Sequence, residues 1–296
     1  MRRQAPTVLA AFVAVLVMAA TAVATTPVKL KDTRADENYP TIADGWLAWS
    51  ANTTTHPKDW KGYAQPDGGA VRKIPVQGHV WIGSIADVGP RAGQVSFTAD
   101  ATGNGDIGLY DLASKAVLKA PRGVNTAKRE TTSSMQGDYL AFSRYISDSR
   151  VDVLLYAFST GKVSTVASGW YFATQVNGEF LTYQSCRTDT CNAWRYSITK
   201  GKALKLPAAP TGRANYFPAV QSDGVTFWVQ GSNTSCGKNT KILRRANNGN
   251  ITTIWAVPDG TEISSLEART VGSSPVLVLT EIDCASNDTG IYELPL

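Results

Sequence analysis

The chain has 296 residues, of which 18% are charged and 43% hydrophobic, and a formal net charge of +5. That length is ample for a hydrophobic core, and the charge is spread without any Lys/Arg-rich run or basic helix, which excludes a nucleic-acid-binding surface as the organising function. A mildly basic chain of this kind fits solubility or weak attraction to an anionic cell envelope.

In chain order the first element is a leader. Arg2 and Arg3 precede an uncharged run from Val8 to Ala20, and Ala22-Val23-Ala24 supplies small residues for signal peptidase. The apolar run is shorter than the roughly 20 residues that span a bilayer, so we expect a cleaved secretory signal over 1–24, cut between Ala24 and Thr25, and no membrane span. The paired arginines are not followed by Phe-Leu-Lys, and the junction carries no cysteine, so neither a twin-arginine route nor a lipoprotein is expected. Without the leader the net charge is +3, from 27 basic and 24 acidic residues. Residues 25–296 are expected to form one domain.

Val28-Lys29-Leu30 reads as a strand with no repeat of its own. From there, six turn glycines, Gly45, Gly93, Gly137, Gly178, Gly224 and Gly272, recur at spacings of 48, 44, 41, 46 and 48 residues. After each comes an alternating or apolar strand, such as Leu47 and Trp49, Val95 and Phe97, Leu140 and Phe142, Leu181 and Tyr183, and Val225 and Phe227. Alternation of this period predicts half-buried strands. A second strand follows in each unit, for example Ile107-Gly108-Leu109-Tyr110 or Ile291-Tyr292-Glu293-Leu294. Turns such as Ser159-Thr160-Gly161-Lys162 and Asn247-Asn248-Gly249-Asn250 then lead to outer strands such as Val163-Ser164-Thr165-Val166. Four strands in a period of this length make one propeller blade, so the expected fold is all-β, a six-bladed β-propeller with four antiparallel strands per blade. The last repeat ends after its third strand at Leu296, and an uncovered edge must be paired, so the N-terminal strand is expected to complete blade six and close the ring.

All four cysteines lie in the second half. In a secreted chain they are expected to pair. Cys186 and Cys191 fall within one loop, whereas Cys236 and Cys284 each lie 12 residues after their own turn glycine. Equivalent positions of neighbouring blades face one another, which predicts Cys186–Cys191 and Cys236–Cys284. Two zinc-ligating pairs are not expected, because Cys-x4-Cys lacks a matching second pair and His56 and His79 lie far off.

The run Phe97-Thr98-Ala99-Asp100, Thr102-Gly103-Asn104-Gly105-Asp106-Ile107 and Leu109-Tyr110-Asp111-Leu112 resembles the repeat of TolB-like six-bladed propellers, and Gln221-Ser222-Asp223-Gly224 resembles its Asp-Gly turn. The resemblance covers Pro27 to Leu296 as a pattern, close only in repeat two, and it points to a bacterial, actinobacterial member of the propeller alone. It implies the fold and a tendency to serve as a protein-binding platform.

In such a ring, the loops that enter the innermost strands and those that join second and third strands share one face around the axis, where ligands usually meet these folds. Residues expected at its centre are Glu37, Asn38 and Tyr39, then Arg129 and Glu130, Tyr171 and Phe172, Arg213, Asn215 and Tyr216, and Glu267. Asn38-Tyr39-Pro40 and Asn215-Tyr216-Phe217-Pro218 are near repeats. Their aromatics and prolines either start inner strands for packing or form a ring suited to a peptide or sugar. Asp100 to Asp111 mimics a calcium loop but fits an ordinary inter-strand turn better, and no helix flanks it. Ser222-Asp223-Gly224 hints at an Asp box and is read as a turn. Neither histidine adjoins a nucleophile motif, no Gly-x-Ser-x-Gly occurs, and Trp60 is either a packing residue or an anchor for a partner. The expectation is a secreted, monomeric, non-enzymatic binding or scaffold module without metal or cofactor, engaging a protein or cell-envelope partner. An extracellular lyase or hydrolase, or a lectin-like carbohydrate binder, is the alternative.

Overall fold

The computed structural model describes residues 26–296 other than 32, 34, 54–55, 102, 188–189 and 233–235. The leader, its expected cleavage point and the His56 side chain lie outside the described residues.

The described strands form six four-stranded antiparallel sheets. Blade one holds β2 (Glu37–Ala43), β3 (Trp46–Thr53), β4 (His56–Pro66) and β5 (Arg72–Lys73), after an initial β1 (Val28–Lys31). Blade two holds β6 (His79–Ile85), β7 (Gln94–Asp100), β8 (Asp106–Asp111) and β9 (Ala116–Lys119), and blade three β10 (Glu130–Gln136), β11 (Tyr139–Ser147), β12 (Arg150–Ala157) and β13 (Lys162–Ala167). Blade four holds β14 (Phe172–Asn177), β15 (Phe180–Arg187), β16 (Thr190–Ser197) and β17 (Lys202–Lys205), and blade five β18 (Arg213–Val220), β19 (Thr226–Ser232), β20 (Lys241–Arg245) and β21 (Ile251–Ala256). Blade six is β22 (Thr261–Val271), β23 (Ser274–Asp283) and β24 (Thr289–Pro295), completed by β1, which pairs antiparallel with β24. The two ends of the ring are thereby joined in one sheet. No helix among the described residues is long and apolar enough to cross a membrane.

The six turn glycines all sit between the first and second strand of their blades, each at positive φ, from 57° at Gly178 to 92° at Gly224. A side chain there would be strained, which is why glycine recurs at this point.

The second strands depart from the expected half-burial. In β7 not only Val95 and Phe97 but also Gln94, Ser96 and Thr98 are buried. Every blade packs between two others, so both faces of its inner strands are covered. The apolar core is correspondingly divided into six clusters, one at each blade boundary. Val80, Ile82, Val95 and Phe97 meet Ala43, Ala48 and Ala64 between blades two and one, and Trp49 and Ala51 meet Val276, Val278 and Ile291 between blades one and six. The other four clusters fill the remaining boundaries in the same way.

Each inner strand also carries one extra residue relative to its partner. The pairing register shifts at Asn38/Thr41, Ile82/Ile85, Thr131/Ser134, Ala173/Gln175, Tyr216/Ala219 and Ile263/Ser265. A bulge frees backbone groups that must find other partners. Hydroxyls and amides of neighbouring blades supply them: the Ile82 and Ile85 N–H groups donate to Ser50 Oγ and Thr41 Oγ1 (2.7 and 3.0 Å), Ala173 N to Ser143 Oγ (2.8 Å) and Phe217 N to Gln184 Oε1 (2.6 Å). Polar residues in the first and second strands, invisible to an apolar pattern, thus lock adjacent blades together.

A candidate binding pocket on the propeller axis

The six bulges ring the axis, and three of them hold a residue other than glycine in the left-handed region. Tyr39 in blade one, Thr132 in blade three and Phe217 in blade five have φ of 53°, 46° and 46°. A β-branched or aromatic residue adopts this conformation only where its surroundings impose it, and such strain concentrates at ligand sites.

Inside this ring opens a pocket of about 260 Å³ to which all six blades contribute. Its aromatic lining comes from Tyr39, Trp81, Phe172 and Phe217, in blades one, two, four and five. Its polar lining includes Thr98, Arg129, Thr132, Ser133, Gln184 and Glu267. Gly83 sits in the wall between blades two and three, where a Cβ would lie 2.1 Å from the Ser133 carbonyl oxygen, so only glycine permits that approach.

Glu267 is nearly buried and pairs with the fully buried Arg269, whose Nη2 donates to Glu267 Oε1 at 2.6 Å and to Thr41 Oγ1 at 3.4 Å. Burial pushes the Glu267 carboxyl up, and the adjacent guanidinium draws it back toward the ionised form. Among the described residues, Glu267 Oε2 and Arg269 Nε and Nη1 have no hydrogen-bond partner. Nearby, Gln175 ties three blades together: its Nε2 donates to Ala268 O (2.6 Å), while its Oε1 accepts from Val220 N (2.9 Å) and Ala268 N (3.1 Å).

Of the residues expected at the centre of this face, Tyr39, Arg129, Phe172 and Glu267 line the pocket. The others serve its frame. Glu37 is buried, accepts from Thr33 Oγ1, and its N–H donates to Thr289 Oγ1 of blade six (2.6 Å). Glu130 is buried beside Arg144, whose Nε donates to it at 2.6 Å; desolvation raises its carboxyl, and bonds from Thr126 and Arg144 oppose that. Asn38 Oδ1 accepts from the Tyr39 N–H and from Ser264 Oγ. Asn215, also buried, bridges Pro207 O and Gln230 Nε2. Tyr171 packs edge-on against Tyr183 and Trp194. Arg213 Nη1 donates to Asn239 O (3.3 Å), and the Tyr216 hydroxyl to Ser232 O (3.5 Å).

Trp81, Thr98, Thr132, Ser133, Gln184 and Phe217 also line the pocket and were not expected there. Aligning the two near repeats on proline would have found Phe217: Tyr39-Pro40 corresponds to Phe217-Pro218, not to Tyr216. From Phe172 the aromatic surface continues outward through Trp170 and Tyr145, all edge-to-face at 5.6–6.1 Å, with the Arg129 guanidinium 5.0 Å from the Tyr145 ring centre.

Both expected disulfides are present, Cys186–Cys191 at the β15–β16 hairpin and Cys236–Cys284 between the corresponding loops of blades five and six. The calcium-like run is an ordinary turn. Asp100 accepts from the Gly103 N–H, whereas Asp111 ends β8, a strand's length away, and accepts from Ser114. Asp223 likewise closes its own turn on Val225 N (2.9 Å). Among the described residues the one group of metal-type ligands is Cys236, Glu262 and Cys284, and both sulfurs are engaged in the disulfide.

No family model and no curated protein matches the chain. Solved structures do. TolB from Acinetobacter baumannii is 16% identical with a TM-score of 0.54, over 85% of this chain and 64% of that one, so the chain spans somewhat under two thirds of that protein's length. A putative TolB from Agrobacterium tumefaciens is 12% identical with a TM-score of 0.57, over 89% and 91% of the two chains. An oligogalacturonate lyase solved in complex with manganese is 11% identical with a TM-score of 0.53, over 90% and 84%. At these identities the likeness is one of fold, that of the TolB-like six-bladed propellers.

Proposed function

We propose that this protein is a secreted, monomeric, non-enzymatic binding module that engages a protein partner at or outside the cell envelope, through the face on which the axial pocket opens. The observation that carries this reading is the pocket itself: aromatic rings from four blades surround it, and its rim keeps three strained bulge residues that packing alone would not favour. Both disulfides tie loops of the same face, which keeps it rigid before a partner arrives and lowers the entropy lost on binding. The disulfides also fit an oxidising compartment outside the cytosol. A hydrolase or lyase would need an acid and a base free to exchange protons at the pocket, whereas Glu267 has one oxygen committed to Arg269.

The test is capture of partners from culture supernatant and cell wall by the mature protein, with Phe217→Ala and Tyr39→Ala on the pocket rim and Val88→Asp in the β6–β7 turn as the remote control. Loss of a partner with the rim variants and its retention with Val88→Asp is expected. Equal retention by all three, or a hydrolytic activity that Glu267→Gln abolishes, would contradict the proposal.

A further inference from the structure

Charge is unevenly distributed around the ring. Of the 27 basic and 24 acidic residues in 25–296, 10 basic and 3 acidic ones fall within blades four and five, residues 172–256, a net of +7, whereas the rest holds 17 and 21, a net of −4. None of the eight strands of these two blades contains an Asp or a Glu. Among the described residues, every ion pair lies in another blade. Lys202 and Lys205 on β17 are exposed, and Arg244 and Arg245 on β20 are partly so. At the seam between the two blades, Arg195 and Arg245 lie close enough to repel: burial first, and then Arg245, hold the Arg195 guanidinium below its ordinary value, and Asp223 opposes this. A sector that gathers like charges without acids of its own is complementary to an acidic partner.

The same sector holds an open sheet edge. The outer strand of each blade leaves one side of its backbone without a neighbouring strand, and five of the six carry a Lys or Arg, a charge that discourages foreign strands from pairing. β21 has none. Its run Ile251-Thr252-Thr253-Ile254-Trp255-Ala256 holds no charge, proline or glycine, is rich in residues that favour strands, and leaves Ile251 42% exposed. From Ile251 to Thr253 it pairs regularly with Arg245, Arg244 and Leu243 of β20, and the register shifts only beyond. Strands in a sheet lie roughly 4.8 Å apart, so a strand added to this edge would run about 10 Å from β20, where its acidic side chains and the two arginines can reach toward one another. A second copy of this chain would bring its own basic sector to the same place and be repelled. A polyanion without a peptide backbone would meet the charges and leave the edge unpaired.

We infer that an acidic, extended segment of a protein partner adds to the edge of β21 as a fifth strand of blade five, its backbone pairing along Ile251–Thr253 and its carboxylates meeting Arg244 and Arg245. This is strand addition at a sheet edge, with main-chain bonds for affinity and charge for selection. The contact lies on the circumference of the ring and stands without the axial pocket.

Titration of the mature protein with a fluorescein-labelled, capped peptide of alternating glutamate and valine, followed by fluorescence anisotropy at low salt, tests it. Saturable binding is expected. It should be about tenfold weaker or worse for an alternating lysine–valine peptide, and equally so for a glutamate–valine peptide N-methylated along one edge, which keeps the charges but cannot pair its backbone. Arg244→Gln combined with Arg245→Gln should weaken the first peptide about tenfold, whereas Lys119→Gln and Lys162→Gln, on the outer strands of blades two and three, should leave it unchanged. Should the arginine variant fail to fold, the N-methylated peptide on the parent protein decides alone. Equal affinity for the N-methylated peptide would overturn strand addition in favour of a charge-only surface for an anionic polymer. Absence of saturation, or a folded arginine variant that binds as the parent does, would overturn the inference outright. Phe217→Ala should bind the peptide as the parent does, and weakened binding there would place the peptide in the axial pocket instead.

Discussion

Tyr39 is 40% exposed, so packing does little to compensate its left-handed backbone. Such a conformation costs about 1–3 kcal/mol for a residue with a side chain and little for glycine. Tyr39→Gly should therefore unfold at a higher denaturant concentration than Tyr39→Ala, by about 1 kcal/mol, reversing the usual order in which glycine is the less stable. Chemical denaturation of the pair measures this, and an alanine variant as stable as the glycine one would show that the bulge stores no strain. Gly83 makes the opposite case. Its missing side chain leaves room for the Ser133 carbonyl, and Gly83→Ala should cost about 1–3 kcal/mol while moving the pocket wall that Ser133 shares. Neither position announces itself in the sequence. Tyr39 and Phe217 are marked by the prolines that follow them, but Thr132 has no such mark, because a bulge is a property of pairing between two strands and not of one residue type.

Blade six is where the elements differ most in their dependence on conditions. Its sheet joins β1 to β24, and Glu281 on β23 lies partly buried near Lys29 of β1. Burial pushes the Glu281 carboxyl up to about 7, while Lys29 opposes the rise. An acid whose folded pKa exceeds its unfolded value stabilises the fold in its protonated form; that contribution is complete below the unfolded value near 4.5 and is lost as pH rises through about 7. Thermal melts should show stability falling between pH 5 and pH 8, and Glu281→Gln should flatten the decline; an unchanged profile in that variant would assign the effect elsewhere. The same blade carries one end of the Cys236–Cys284 bridge, which closes a loop with a sequence separation of 48 residues against 5 for Cys186–Cys191. On the chain-entropy model, replacing both cysteines by serine should cost about 4 kcal/mol for the long bridge and about 2 kcal/mol for the short one. Denaturant midpoints of the two double variants rank them. This pairing is legible in the sequence because the turn glycines put Cys236 and Cys284 in register in adjacent blades. The full burial of strands such as β7 is not, because alternation reports one covered face and cannot reveal that a neighbouring blade covers the other.

At the scale of the whole molecule, the ring has two ends, and a four-residue strand holds them together. The repeat spacing and the unfinished last repeat make this closure readable, since a strand without a repeat and a repeat without a strand complete each other. The pocket is readable only in part. Four of its residues follow from the general geometry of the inner-strand loops, but its volume arises only when all six blades meet on the axis. Closure of the ring therefore sets the shape of the pocket although β1 contributes no residue to it. Removing Val28–Lys31 uncovers the edge of β24 and leaves blade six held to blade one by the core contacts of Trp49 and Ala51 with Val276 and Val278 and by the hydrogen bonds of Glu37, Asn38 and Thr41 with Thr289, Ser264 and Arg269. Blades one and six supply Tyr39 and Glu267 from the two sides of that seam, so a small opening there separates an aromatic wall from the acid. The truncated protein should keep a β-sheet signal in far-ultraviolet circular dichroism, because the other five sheets are complete. It should nevertheless lose partner capture and self-associate through the exposed β24 edge, as light scattering would detect. A truncated protein that stays monomeric and binds as the intact one does would show that the seam is closed by the packing and hydrogen bonds between blades one and six, and that β1 covers an edge without setting the geometry of the axis.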